Sequence, residues 1–381
     1  MASSGEDRNI VLYHYSASPY AKRIVWYMAL RGIPYVQCMQ PPVLPRPDVQ
    51  KLGIVHRRIP ILAIGRDVYY DTRLMLRKLE SLYPSRPRLG ASSPDQMALE
   101  RLLEALAIDG GVFSHGATLL PTTLPLIKDP VWLKDRSEFN GAKLSLENMK
   151  RNRPHAVNEI RRNMELLETT LLADARDWVL KDNSDPGLAD IEAVWLLHWL
   201  TGLPGALPKE HISEEHFPKV FAWIARFQKA VSAAKKAAPK PQTVSGDEAV
   251  EIIVSSPYSE EEGQIDSADA LVAAAGLEAG DDVVVWPTDT GASHKDTGKL
   301  LSINGDEVVI EVNGDKGPVR VHAPRHGFRG EKLDTFKERK SPTKFLVGIV
   351  DNMYEAAAGL PWRKPPAGIT EGQQNGYYLK V

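Results

Sequence analysis

The chain has 381 residues, 43% hydrophobic and 25% charged, with a formal net charge of -2. This is globular composition, and the net charge gives no basis for a nucleic-acid binder, which wants a strongly basic face. The lone cysteine, Cys38, excludes a disulfide framework and fits a reducing compartment, and no apolar run approaches the roughly 20 residues that cross a bilayer.

Residues 1–9 are small and polar, with no leader-like apolar stretch, so a cytoplasmic protein of two or three domains is expected. Residues 10–15 read as a buried strand. Pro19 opens a helix with Ala21, Ile24, Val25, Met28 and Ala29 on one face, and Gly32 closes it. A second strand follows at 35–39, then a proline-rich stretch at 41–47. Strands at 59–64 and 68–70 flank a turn, and a helix over 72–83 carries Met75, Leu76, Leu79 and Leu82 on one side. The order β-α-β, then β-β-α, predicts a small mixed sheet with helices on its faces.

A polar linker at 84–94 leads into helical patterns at 99–108, 154–172, 191–200 and 217–234, the third apolar nearly all round. A second linker spans 233–244. Beyond it a short helix is expected at 267–276, with strands at 282–286, 298–303, 307–312 and 319–323. Asn304-Gly305 and Asn313-Gly314 are hairpin signals, because tight turns need positive φ. A last helix is expected to run from Phe345 through Met353, before a Pro- and Gly-rich tail.

Three short segments carry chemistry. Ser18-Pro19 stands where strand meets helix, a good N-cap and first helical residue. The same geometry favours an anion, and so the thiolate of a thiol ligand over the thiol. Ile59-Pro60 opens a strand. If the bond is cis, the Ile59 peptide turns outward, where a peptide ligand can pair with it. Asp71-Thr72 precedes a helix. It can be a plain N-cap, or the aspartate can meet an ammonium while the threonine hydroxyl and free N–H groups hold a carboxylate.

In order and spacing, the run Ser18-Pro19-Tyr20-Ala21-Lys22-Arg23, the Ile59-Pro60 step and Asp71-Thr72 resemble the N-terminal domain of the cytosolic glutathione transferases. Within that family Ser18 resembles the serine-type and omega-like pattern, with Ser where omega members carry Cys. Gly187-Leu188-Ala189-Asp190 resembles the family's Ser/Thr-x-x-Asp capping box, with Gly in place of the hydroxyl residue. Asp-Thr also stands where the family has Glu/Gln-Ser, and the usual Asn-Pro is missing before the third strand. The resemblance covers about residues 9–235 and implies a thioredoxin-like α/β domain over 9–84 and an all-helical domain over 94–235, while the strand and turn signals beyond read as a small antiparallel barrel or sheet over 245–345, within a β-rich, barrel-like extension over 245–381.

The resemblance also implies glutathione as cosubstrate, a homodimer, a hydrophobic small-molecule substrate and no metal. Ser18 is the expected thiol-activating residue, with Ser16 the second candidate. Ile59, Pro60, Asp71 and Thr72 are expected to hold glutathione, and Arg58, or Arg57 beside it, to meet the glycyl carboxylate. Tyr20, Phe113 and His115 are expected to line the substrate pocket. Conjugation and glutathione-dependent cis–trans isomerisation both fit, and the long extension suggests a specialised fungal member in secondary metabolism. A non-catalytic binding module is the alternative. Asp289-Thr290-Gly291 and Asp296-Thr297-Gly298 look like aspartic-protease triplets, but both fall in one loop and read as turn chemistry. Cys38, on a strand, is expected to be an inert buried thiol.

Overall fold

In the computed structural model, which describes residues 9–339, both faces of the first strand, β1 (Ile10–His14), are buried. Side chains alternate across a strand, so such a strand must be covered twice. Parallel to β1 runs β2 (Val36–Met39), after the helix α1 (Pro19–Leu30). The one-turn helix α2 (Pro47–Gln50) lies in the proline-rich stretch. On its other side β1 pairs antiparallel with β3 (Ile61–Ile64), and β3 with β4 (Asp67–Tyr69), before α3 (Thr72–Leu82). This is the thioredoxin-like order expected.

The helical region holds α4 (Pro94–Ile108), α5 (Val112–Thr118), α6 (Pro125–Lys128), α7 (Pro130–Asn140), α8 (Leu146–Leu166), α9 (Leu188–Thr201) and α10 (Pro218–Ala237). A π-helical turn, Leu167–Leu171, ends α8. The helix expected from residue 154 in fact starts at Leu146, behind the N-cap Ser145, and takes Pro154 into its interior. Its first two turns, Leu146 to Arg153, are mostly polar and show no apolar stripe to read.

The extension departs most from expectation. It contains β5 (Gln242–Thr243), α11 (Gly246–Ser255), α12 (Ala270–Ala275), β6 (Asp282–Pro287), β7 (Asp296–Ile303), β8 (Glu307–Gly314), β9 (Gly317–Pro324) and β10 (Phe328–Lys332). Its strands make no separate barrel. They continue the first sheet, giving one ten-stranded order β10-β6-β7-β8-β9-β4-β3-β1-β2-β5. The junction is the parallel pairing of β4 with β9, Val68 opposite Val321. A strand edge offers unpaired N–H and C=O groups, and here the extension takes them up. The Asn313-Gly314 pair also falls inside β8 rather than in the turn, which moves on to Asp315 and Lys316. A Cβ on Gly314 would lie 2.7 Å from the Lys51 carbonyl oxygen, so glycine is there for close approach.

The two faces of the first sheet feed two cores. Ile10, Leu12, Leu62, Ile64 and Tyr69 pack with α1, α3 and the helical region, including Trp195 and Trp223. Val11, Tyr13, Ile61, Ala63, Val68 and Tyr70 pack instead with Ala249, Val250 and Ile253 of α11 and with Ile310, Val319 and Val321 of the extension. Residues 9–333 thus form one body. The helix α13 (Leu333–Arg339) follows at the end of the described residues. The helix expected through Met353 lies outside the described residues. Among the described residues no helix is long and apolar enough to cross a membrane.

Candidate functional site

Ser18 is the N-cap of α1, with extended backbone, and it is buried. Its Oγ accepts from the Ala21 N–H at 3.2 Å, and Pro19 after it has no N–H to satisfy. A hydroxyl oxygen that accepts still has its own proton to donate. Ser16 lies outside the helix and is exposed.

The Ile59–Pro60 bond is cis. Asp71, the N-cap of α3, has φ 63 and ψ 131, a backbone state that non-glycine residues rarely adopt. Its Oδ1 accepts from the Arg73 backbone N–H at 3.0 Å and from Arg73 Nε at 3.2 Å, and an Arg58 nitrogen lies 3.7 Å from Oδ2. Burial raises the Asp71 carboxyl, but Arg73, its backbone N–H and Arg58 outweigh burial and hold it below the usual carboxylate range. Arg73 reaches on to Asp109 in a two-pronged contact at 3.0 and 3.1 Å.

Thr72 is buried, and its hydroxyl oxygen accepts from Arg23. The same guanidinium donates to Glu192 of α9, so a fully buried arginine ties the first domain to the helical one. Burial, set against the pull of Arg23, pushes the Glu192 carboxyl up to about 7. Arg23 was not among the expected site residues, although it shares a helical face with Tyr20, Trp26 and Tyr27 and so had a readable place.

The extension reaches into this site. Arg58 donates through Nε to the Thr290 carbonyl at 2.9 Å and through a terminal nitrogen to Asp289, and its guanidinium lies over the Phe328 ring at 5.5 Å. His326 Nε2 contacts Asp109 at 3.0 Å. Arg57 donates to Asp135 at 2.8 Å. The second triplet, expected as turn chemistry, begins a strand instead. Asp296 begins β7, is buried, and accepts from the Val55 N–H at 2.7 Å and the Tyr70 hydroxyl at 2.8 Å. Burial pushes its carboxyl up to about 6. Beside it His56 stacks on Tyr70, ring centroids 4.1 Å apart, kept neutral by burial and by Arg58.

Tyr20 and Phe113 meet edge to face at 4.8 Å, and both pack on Trp195, at 4.7 and 5.3 Å. With Trp199 they make an aromatic wall between α1, α5 and α9. His115 is half-buried on α5 and is not among these rings. Burial and the Asp71 carboxylate push the Tyr20 phenol up to about 12, so it remains protonated. The Cys38 thiol, buried beside Asp48, is pushed up to about 12 by burial first, which keeps it from the reactive thiolate form.

Residues 12–87 match the family described as "Glutathione S-transferase, N-terminal domain", and residues 115–236 match a domain of unknown function, DUF7962. A GST-like protein from Pseudomonas syringae is 24% identical, over 85% of this chain and 99% of that one, with a TM-score of 0.60. That overlap is wider than the first 235 residues of the chain can supply, so it takes in part of the extension. Rice GST1, in complex with glutathione, is 20% identical over 66% of this chain and 96% of that one, with a TM-score of 0.45. Beta-etherase LigF from Sphingobium sp. strain SYK-6 is 15% identical over 60% and 100%, with a TM-score of 0.47. No curated protein matches the chain. By the family match of residues 12–87 and by its fold, the chain carries a glutathione S-transferase N-terminal domain within a GST-like architecture.

Proposed function

We infer that the chain is a glutathione-dependent transferase acting on a hydrophobic electrophile, and that Ser18 serves the thiol end of the cosubstrate. The observation that carries this reading is Asp71. Backbone in its region costs about 1–3 kcal/mol, and such residues cluster at active sites and ligand clamps. Here it sets a carboxylate at the N-terminus of α3, with Arg73 and Arg58 against it. The γ-glutamyl end of glutathione carries both an ammonium, complementary to Asp71, and a carboxylate, complementary to a helix N-terminus and the Thr72 hydroxyl. Ile59 and Pro60 would then face the peptide backbone of the ligand, and Arg58 its glycyl end.

Bound glutathione would supply the sulfur nucleophile. Ser18 would donate a hydrogen bond from its hydroxyl to the thiolate, since the oxygen already accepts from Ala21. Tyr20 and Phe113 form the apolar wall for the second substrate, with His115 at the edge of that pocket. Conjugation is the first reading of the reaction, and cis–trans isomerisation of a conjugated substrate uses the same groups. A homodimer, a cytoplasmic setting, a role in secondary metabolism and the division at 9–84, 94–235 and 245–381 belong to this proposal. A non-catalytic binding module is the second reading. It is favoured by Arg58, whose Nε and one terminal nitrogen are already taken by Thr290 and Asp289.

Calorimetry with glutathione tests the site. Wild type should bind, and Asp71→Ala should lose at least about tenfold in affinity, the scale of one charge-assisted hydrogen bond. No binding at millimolar glutathione, or equal binding by both proteins, would overturn the reading.

A further inference from the structure

We propose that Asp289 is a specificity-determining residue of the thiol site, an internal carboxylate that competes with the ligand's glycyl carboxylate for Arg58. The inference rests on the glutathione reading above.

The geometry makes Asp289 a competitor in cis. Arg58 is largely buried, its side chain 16% exposed, whereas the Asp289 side chain is 60% exposed. The carboxylate therefore sits on the solvent side of the guanidinium, the side from which a ligand arrives. The backbone around it is pinned. Thr288 N–H donates to the Gly327 carbonyl at 3.0 Å, and Gly291 N–H to the Phe139 carbonyl at 2.7 Å. A Cβ on Gly291 would meet Arg57 Cγ at 3.1 Å, and φ there is +74, so the turn is held close against the arginine pair by a glycine. Asp296, a little further along, is locked to Val55 and Tyr70. The loop cannot swing away cheaply, but the exposed Asp289 side chain can rotate off Arg58.

An internal carboxylate held in place acts at a high effective concentration. A ligand with a free terminal carboxylate must displace it, while a ligand without one has no such competition to overcome. The thioredoxin-like domain supplies the arginine, and the extension sets how strongly that arginine selects for the anion. This gives residues of the β-rich extension a direct part in choosing the thiol cosubstrate.

The test compares glutathione with its glycyl ethyl ester, which lacks the negative charge at that end. Both are titrated against the full-length wild type and Asp289→Asn, with Asp71→Ala as control. Asp289→Asn should tighten glutathione by about two- to fivefold, the range of a partly exposed ion pair, and leave the ester unchanged. In an Arg58→Ala background the Asp289→Asn effect should vanish. Unchanged glutathione affinity in Asp289→Asn, with binding still lost in Asp71→Ala, overturns this inference and leaves the glutathione reading standing. Equal tightening of both ligands overturns it also, because competition for the terminal carboxylate cannot act on the ester. No binding of either ligand to either protein overturns the reading and this inference together.

Discussion

At Ser18 one atom has a structural duty and its hydrogen is left for another. The oxygen accepts from Ala21 N–H, and the O–H remains to donate. Replacing Ser18 by Ala therefore removes two things of different size. The lost cap should cost about 1 kcal/mol of stability, read as a small fall in the urea midpoint. The lost donor should let the thiol of bound glutathione drift up towards its free value of about 8.5. The pH profile of conjugation with a chromogenic electrophile would then move to higher pH. Ser16→Ala should change neither, since Ser16 is exposed and caps nothing. A profile that moves with Ser16 and stays fixed with Ser18 would reverse the assignment. These residues were readable because their chemistry is local: an N-cap, a strand-opening proline and an acid-hydroxyl pair announce themselves within a few positions. The partners were not readable. Arg23 meets Glu192 across 169 residues and Arg58 meets Asp289 across 231, and no spacing rule reaches that far.

Among the elements, α9 shows how an incomplete signal can still be structurally complete. Gly187 has no side chain to cap the helix, yet Asp190 keeps its half of the box, accepting from Gly187 N–H at 3.0 Å. The other carboxylate oxygen accepts from Val179 N–H at 2.9 Å and from Trp223 Nε1 at 2.8 Å. Gly187 has ordinary extended backbone, and its missing Cβ would stand 2.8 Å from the Asn183 amide and 3.2 Å from the Leu89 carbonyl. A side chain there would push the Asn183 amide aside and crowd the Leu89 carbonyl. Asp190→Ala would strand three buried donors at about 1–3 kcal/mol each. It should lower stability by several kcal/mol in urea unfolding, and Asp190→Asn by less. A loss under about 1 kcal/mol in Asp190→Ala would show that water replaces the carboxylate. The helix α9 was legible as a nearly all-apolar run and α10 from its helical spacing, whereas α5 and α7 were not. Hydrophobic spacing in those two is weak because few of their residues enter the core. The helix α11 was missed although Ser245 and Glu248 form a full capping box that could have marked its start.

For the whole molecule, the question is what holds the extension against the first domain. Apolar packing on the second face of the sheet joins them, and a buried charge network lies directly at the β4–β9 seam. His322 of β9 lies between Glu307 of β8 and Asp67 of β4, with 3.0 Å to each. Lys78 of α3 donates to Glu307 at 2.7 Å and to Glu260 at 2.6 Å, and the Tyr69 hydroxyl donates to Glu260 at 2.6 Å. Burial alone would lower the His322 pKa, but its bonds to the two carboxylates raise it above the ordinary value of 6.5. Burial raises Glu307, yet His322 and Lys78 outweigh it and hold the acid at about 2. The signs follow from linkage. The histidine's contribution is complete below about pH 6.5 and is lost as pH rises through its higher folded value. The Glu307 contribution is complete above about pH 4.5 and is lost as pH falls towards 2. The seam should be tightest between those limits. Wild type should therefore show a urea midpoint that declines above neutral pH. His322→Leu leaves Asp67 and Glu307 buried beside an apolar group, a loss of about 3–5 kcal/mol for one broken buried pair. Its midpoint should be lower near pH 6 and should lack the part of the alkaline decline that His322 contributes. Parallel pH profiles for the two proteins would mean that the imidazole is not charged in the folded state, and that the seam depends on packing alone.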